Sequence, residues 1–152
     1  MRRRRYGMDL VEKLDHVAFA VRDKKPAARF LTSVLGAQEV MEMEWGGFTF
    51  ASYLMGTGSM LELVYAADPA SFVNRFIDKR GEGVHHLTFK VRNIEEMVGH
   101  LQSQRLNPFD INTDNPIWKE CYLHPREALG TLIQFAEFPE EEWTKIWEES
   151  RK

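Results

Sequence analysis

The chain of 152 residues predicts an α+β fold in which two tandem βαβββ modules lay their strands into one cupped, mostly antiparallel sheet. The grounds are a repeated strand and a repeated element order. "HVAFAVRD" at 16–23 returns as "HLTFKVRN" at 86–93, about seventy residues later, and each copy runs directly into an amphipathic helix. Each helix is followed by three further segments of strand character.

In chain order, "LDHVAFAV" at 14–21 is the first strand, and Pro26 opens a helix with Ala27, Phe30, Leu31, Val34 and Leu35 on one face, ending at Gly36. Strands follow at about 38–44, 47–55 and 59–65, parted by Gly46-Gly47 and "GTGS" at 56–59. Asp68-Pro69 begins a linker helix with Phe72, Val73, Phe76 and Ile77 on one face, closed by "RGEG" at 80–83. The second module restarts with "VHHLTFKV" at 84–91. Asn93 caps a helix to about Arg105 with Ile94, Met97, Val98 and Leu101 inward, and weaker strand signals lie near 107–111, 118–123 and 130–137. The expected organisation is a flexible basic tail at 1–13, one domain at 14–138 (modules 14–66 and 84–138, linker helix 68–80) and a C-terminal helix at 139–152. That last helix carries Trp143, Ile146 and Trp147 as one apolar stripe.

With 43% hydrophobic residues, ten phenylalanines and four tryptophans, the chain can bury a substantial core. A net charge of -3 argues against a nucleic-acid partner, since the only concentrated positive charge is "MRRRR" at 1–5. No stretch is long enough for a membrane span and no apolar signal core follows the arginines, so the chain reads as soluble and cytoplasmic. The single Cys121 allows no intrachain disulfide.

Strand parity selects the polar residues of the site. Val17, Phe19 and Val21 share the face a helix can cover, which turns His16, Ala18 and Ala20 to the concave side; His86, rather than His85, takes the place of His16 in the second copy. Each module ends in an apolar strand holding one polar side chain, Glu62 in "MLELVY" and Gln134 in "TLIQFAEF", 46 residues after His16 and 48 after His86. A buried carboxylate or amide needs a partner. Two imidazoles, a carboxylate and an amide oxygen suit a divalent ion with positions left open for substrate, so His16, Glu62, His86 and Gln134 are the candidate metal ligands. His85, His100 and His124 read as structural.

At "LDHVAFAVRD" (14–23), "FLTSVLGAQ" (30–38), "MLELVYAADPASFVNRFIDKRGEGVHHLTFKV" (60–91) and "LHPREALGTLIQF" (123–135) the chain resembles the vicinal oxygen chelate superfamily. That superfamily includes glyoxalase I, extradiol dioxygenases and the fosfomycin- and bleomycin-resistance proteins, and within it the chain is most similar to methylmalonyl-CoA epimerases. The resemblance implies a homodimer and a small-molecule substrate of the acyl-CoA kind, with a divalent ion such as Co, Zn, Ni, Mn or Mg on the four ligands. It also implies proton removal next to a carbonyl, with Glu44 and Glu62 as the catalytic carboxylates. Two departures stand out. Gln134 replaces the family's usual glutamate, and an amide can coordinate through oxygen but cannot act as a base. "INTDNPIWKE" at 111–120 replaces a glycine-rich loop, where Pro116 and Trp118 are expected to reshape the pocket mouth. A glyoxalase-like lyase, an oxygenase with His16, His86 and Glu62 on iron, and a non-catalytic binding module remain open alternatives.

Overall fold

The computed structural model describes residues 9–56, 58–141 and 148–149. Residues 1–8 of the expected tail and the stripe of Trp143, Ile146 and Trp147 lie outside the described residues. Module one comprises β1 (Val11–Ala20), α1 (Lys24–Ser33), β2 (Gln38–Trp45), β3 (Phe48–Met55) and β4 (Ser59–Tyr65). The linker helix α2 (Phe72–Arg80) leads to β5 (Gly83–Val91), α3 (Ile94–Ser103), β6 (Phe109–Asn112), β7 (Lys119–Leu123) and β8 (Leu132–Glu137), with one 3-10 turn at Pro125–Glu127.

The eight strands form one sheet in the order β2-β3-β4-β1-β5-β8-β7-β6. In each module the first strand pairs in parallel with the last, β1 with β4 and β5 with β8. The modules meet at the antiparallel pair β1 and β5, where His16 faces Thr88 and Ala18 faces His86. This seam is the pseudo-twofold line of the duplicated chain, and it brings the two repeated histidines side by side.

Three apolar clusters hold the sheet. α1 lays Leu31 against Val21, Ala51, Tyr53 and Leu63, while α3 lays Ile94, Met97 and Leu101 against Val91, Cys121 and Phe135. Both helices cover the convex face. α2 instead presses Val73 and Ile77 onto Ala18, Ala20 and Val64, which closes one end of the concave face. Side chains as buried as Val73 and Ile94 contribute roughly 1.5–3 kcal/mol each relative to exposure. Capping sets the helix starts: Asp23 accepts from the Lys25 amide, Ser71 from Asn74 and Asn93 from Glu96. Gly46 and Gly47 form the two-residue loop between β2 and β3 with φ of 57° and 87°, a pair of positive angles that side chains resist.

The differences from expectation have local causes. β1 starts at Val11 and Leu10 packs in the α3 cluster, so residues 10–13 belong to the domain rather than to a tail. α2 starts at Phe72 because the Asp68 carboxylate accepts from the Ala70 amide and holds 68–70 as a turn. Only part of the α1 stripe is inward, since Phe30 and Val34 are 54% and 65% exposed. No helix among the described residues is long and apolar enough to cross a membrane.

Candidate metal centre

The concave face encloses a cavity of about 460 Å³ whose wall includes Trp45, Phe48, Phe50, Phe72, Phe109 and Trp118. On the same cavity lining, His16 from β1, Glu62 from β4 and His86 from β5 each offer one ligand atom, all within 4.8 Å of one another. His16 and His86 stand edge to face with ring centroids 5.8 Å apart, and His16 Nε2 is 3.5 Å from Glu62 Oε2. Gln134, on β8, joins them through Thr88: the Thr88 hydroxyl lies 3.0 Å from His16 Nε2 and donates to Gln134 Oε1 at 2.6 Å. The structure thus brings together all four residues expected as ligands.

Gln134 is held in a defined orientation. Its Nε2 donates to Glu120 Oε2 at 2.6 Å and to the Tyr122 hydroxyl at 2.9 Å, which leaves its oxygen turned toward Thr88 and the histidines. Glu120 Oε2 also accepts from Trp118 Nε1 at 2.6 Å and from the Tyr122 hydroxyl at 3.2 Å. A carboxylate that the ligand position lacks is therefore present one strand away, on β7.

Electrostatics separates the two histidines. Burial pulls the His16 imidazolium down, but the carboxylates of Glu62 and Asp15 more than offset this and leave its pKa above the ordinary value. This agrees with its contacts, since Nδ1 meets Asp15 Oδ2 at 2.9 Å while Nε2 meets a hydroxyl whose own proton goes to Gln134. Burial, with His16 and His85 adding to it, pushes His86 well below the usual histidine range. Burial raises the Glu62 carboxyl, opposed by His16. A cation replacing the His16 proton would find two imidazoles, a carboxylate oxygen and an amide oxygen, a donor set suited to a divalent ion.

The chain matches the family described as Glyoxalase/Bleomycin resistance protein/Dioxygenase superfamily over residues 15–122. The chain belongs to this superfamily. Among superfamily relatives, the uncharacterized protein YqjC of Bacillus subtilis is 30% identical over 134 residues, covering 84% of this chain and 93% of that one. The mitochondrial methylmalonyl-CoA epimerase of Mus musculus is 29% identical over 130 residues, covering 80% and 71%. The crystal structure of methylmalonyl-CoA epimerase from Mycobacterium tuberculosis superposes with a TM-score of 0.78 at 28% identity, covering 90% and 94%.

Glu44 does not enter the cavity of this superfamily fold. It pairs with Thr49, and Glu42 with Ala51, on the face that α1 covers, whereas Met41, Trp45 and their partners Ser52 and Phe48 line the cavity. Lys24 of α1 pairs with Glu39 and Glu42 on that outer face, and Glu44 is exposed there. His124 caps the 3-10 turn, accepting from the Arg126 amide, and His100 sits in the last turn of α3. His85, expected away from the site, lines the cavity with its ring against Phe72 and Phe76. Pro116 stays out of the cavity while Trp118 forms part of its wall, stacked on Phe138 at 5.0 Å. Sequence reasoning missed Asp15, Thr88, Glu120 and Tyr122. Alternation alone could have found three of these, since Thr88 shares a face with His86, and Glu120 and Tyr122 share a face of β7.

Proposed function

We propose that the protein is a metal-dependent epimerase that moves a proton at the carbon next to the carbonyl of a 2-substituted acyl thioester, with an acyl-CoA as substrate. The observation that carries this reading is the convergence of His16, Glu62 and His86 within 4.8 Å inside a cavity, in a fold shared with methylmalonyl-CoA epimerase. The donor set of His16, Glu62, His86 and the Gln134 oxygen fits a divalent cation such as Co, Zn, Ni, Mn or Mg. When bound, that cation supplies Lewis acidity, which makes the carbon-bound proton removable.

The remaining steps fall to the chain's own residues. The aromatic wall excludes water and packs the acyl group, with Trp45 and Phe109 at its partly exposed edge. Glu62 takes the proton, through the carboxylate oxygen that is left free when the other is a ligand. Glu120 is the carboxylate on the other module's side of the seam; it takes up a solvent proton and passes it to the opposite face of the carbon. Gln134 orients substrate and ion without titrating. Glu44 has no part, being on the other face of the sheet.

The test is solvent deuterium incorporation into a panel of 2-methyl acyl-CoA esters, methylmalonyl-CoA included, with metal content measured on the same preparations. Metal-loaded wild type is expected to exchange at carbon 2. His16→Ala and His86→Ala should lose both metal and exchange, and His100→Ala neither. Bound metal with no exchange into any ester would overturn the epimerase reading in favour of a lyase or a binding module.

A further inference from the structure

Asp15 and His85 each stand one residue before a histidine of the centre, and strict alternation along β1 and β5 would turn both away from it. Both nevertheless line the cavity. The cause is in the pairing of the seam. The register passes from Leu14 opposite Phe89 to His16 opposite Thr88, so Asp15 is an extra residue in β1; it passes from Ala18 opposite His86 to Phe19 opposite Val84, so His85 is an extra residue in β5. These are two β-bulges, one in each strand, related by the pseudo-twofold of the modules. A bulge sets two consecutive side chains toward one face, and bulges recur beside functional sites for that reason.

Each extra residue then meets the same atom of its neighbour. Asp15 Oδ2 lies 2.9 Å from His16 Nδ1, and His85 Nδ1 lies 2.9 Å from His86 Nδ1. We propose that Asp15 and His85 are paired positioning residues: each accepts the Nδ1 proton of the following histidine and so fixes the ring and tautomer that present Nε2 to a divalent cation. The proposal rests on the metal reading given above. A neutral imidazole carries one ring proton, so an acceptor at Nδ1 leaves the lone pair on Nε2. A histidine ligand whose second nitrogen is so engaged keeps its orientation and gains basicity. The two acceptors are themselves fixed, Asp15 by Lys13 at 3.5 Å and His85 between the rings of Phe72 and Phe76. They differ in kind, since Asp15 is an anion and His85 a neutral ring. The stronger hold therefore falls on His16.

The experiment measures the dissociation constants of Zn and Co by chelator competition in the full chain, together with the ring-nitrogen chemical shifts of His86 in the metal-free protein. Asp15→Ala and His85→Leu should each weaken metal binding by about 10- to 100-fold, the aspartate change more. Asp15→Asn and His85→Asn, which keep an acceptor oxygen, should recover most of it. In His85→Leu the His86 spectrum should move from a single Nδ1–H tautomer to a mixture. Unchanged affinity in both truncations, an unchanged tautomer in His85→Leu, or a loss that asparagine does not recover would overturn the proposal. A wild type that takes up neither metal would overturn both this and the metal centre, whereas one that binds metal but exchanges no proton would overturn the epimerase alone.

Discussion

At equivalent places the first module holds Asp15, His16 and Glu62, and the second holds His85, His86 and Gln134. The backbone is the same in both halves: a parallel strand pair, a bulge before the histidine, a polar residue on the last strand. The charge is not. Two carboxylates face His16 and push its pKa up against burial, whereas burial, with His16 and His85 adding to it and no carboxylate at the matching places to oppose it, pushes His86 down. Backbone position decides which atoms meet, while the chemistry at that position is set by neighbours that differ between the copies.

The largest expected effect tests the carboxylate of the first half against the amide of the second. Glu62→Gln makes the halves alike and removes the base. Proton exchange should fall about a hundredfold or more, as is typical when general-base catalysis is lost. Gln134→Glu adds a carboxylate instead, and should retain metal and keep exchange within about tenfold of wild type. Deuterium incorporation with parallel metal analysis reads both, and equal losses in the two variants would erase the distinction between the modules.

A smaller effect follows from the opposite pKa shifts. In the metal-free protein His86 and His85 have folded pKa values below the unfolded value of about 6.5. The unfolded chain then binds more protons below that pH, and their contribution to stability is lost as pH falls from about 6.5. For His85, lowered to about 4, the complete loss corresponds to about 3 kcal/mol. His16 runs the other way. Its folded pKa is raised, so its contribution is fully present below about 6.5 and disappears as pH climbs through the folded value. Urea unfolding between pH 4.5 and 8 should show less acid sensitivity in His86→Gln and a flatter alkaline side in His16→Gln. Parallel changes in the two variants would contradict the asymmetry.

The smallest effect is at Glu44. Because it lies on the outer face, Glu44→Gln should leave metal content and exchange unchanged, with stability altered by less than about 0.5 kcal/mol. A loss of exchange comparable to that of Glu62→Gln would place a carboxylate of β2 in the mechanism after all.

Much of this was legible in the sequence, for reasons that also mark the limit. The two strands with His16 and His86, and the polar residues at 62 and 134, could be read because alternation holds wherever a ladder is unbroken. Asp15 and His85 could not, because an extra residue in one strand reverses parity and leaves no trace in composition. Glu44 was expected from the place where the resembling family has a catalytic carboxylate, yet Met41 and Trp45 carry the aromatic-lined side of β2, and its carboxylates sit on the side where Lys24 of α1 can reach Glu42. Near the sheet edge the cavity face is the apolar one, so the usual rule that charge faces the open side points the wrong way. Glu120 went unnoticed because β7 is only five residues long and its cavity face, Glu120 and Tyr122, mixes an acidic with an aromatic side chain.

The antiparallel seam of β1 and β5 has a further consequence in terms of symmetry. A single module of this kind could complete such a centre only by meeting a second copy of itself across the same strand edge, and the two sides would then be chemically identical. Joining the copies through α2 lifts that constraint, because residue 62 and residue 134 become separate letters of one chain. A carboxylate on one flank and an amide on the other is an arrangement open to a fused pair and closed to a symmetric one. The two flanks of the centre thereby differ in charge on a backbone that is itself nearly twofold.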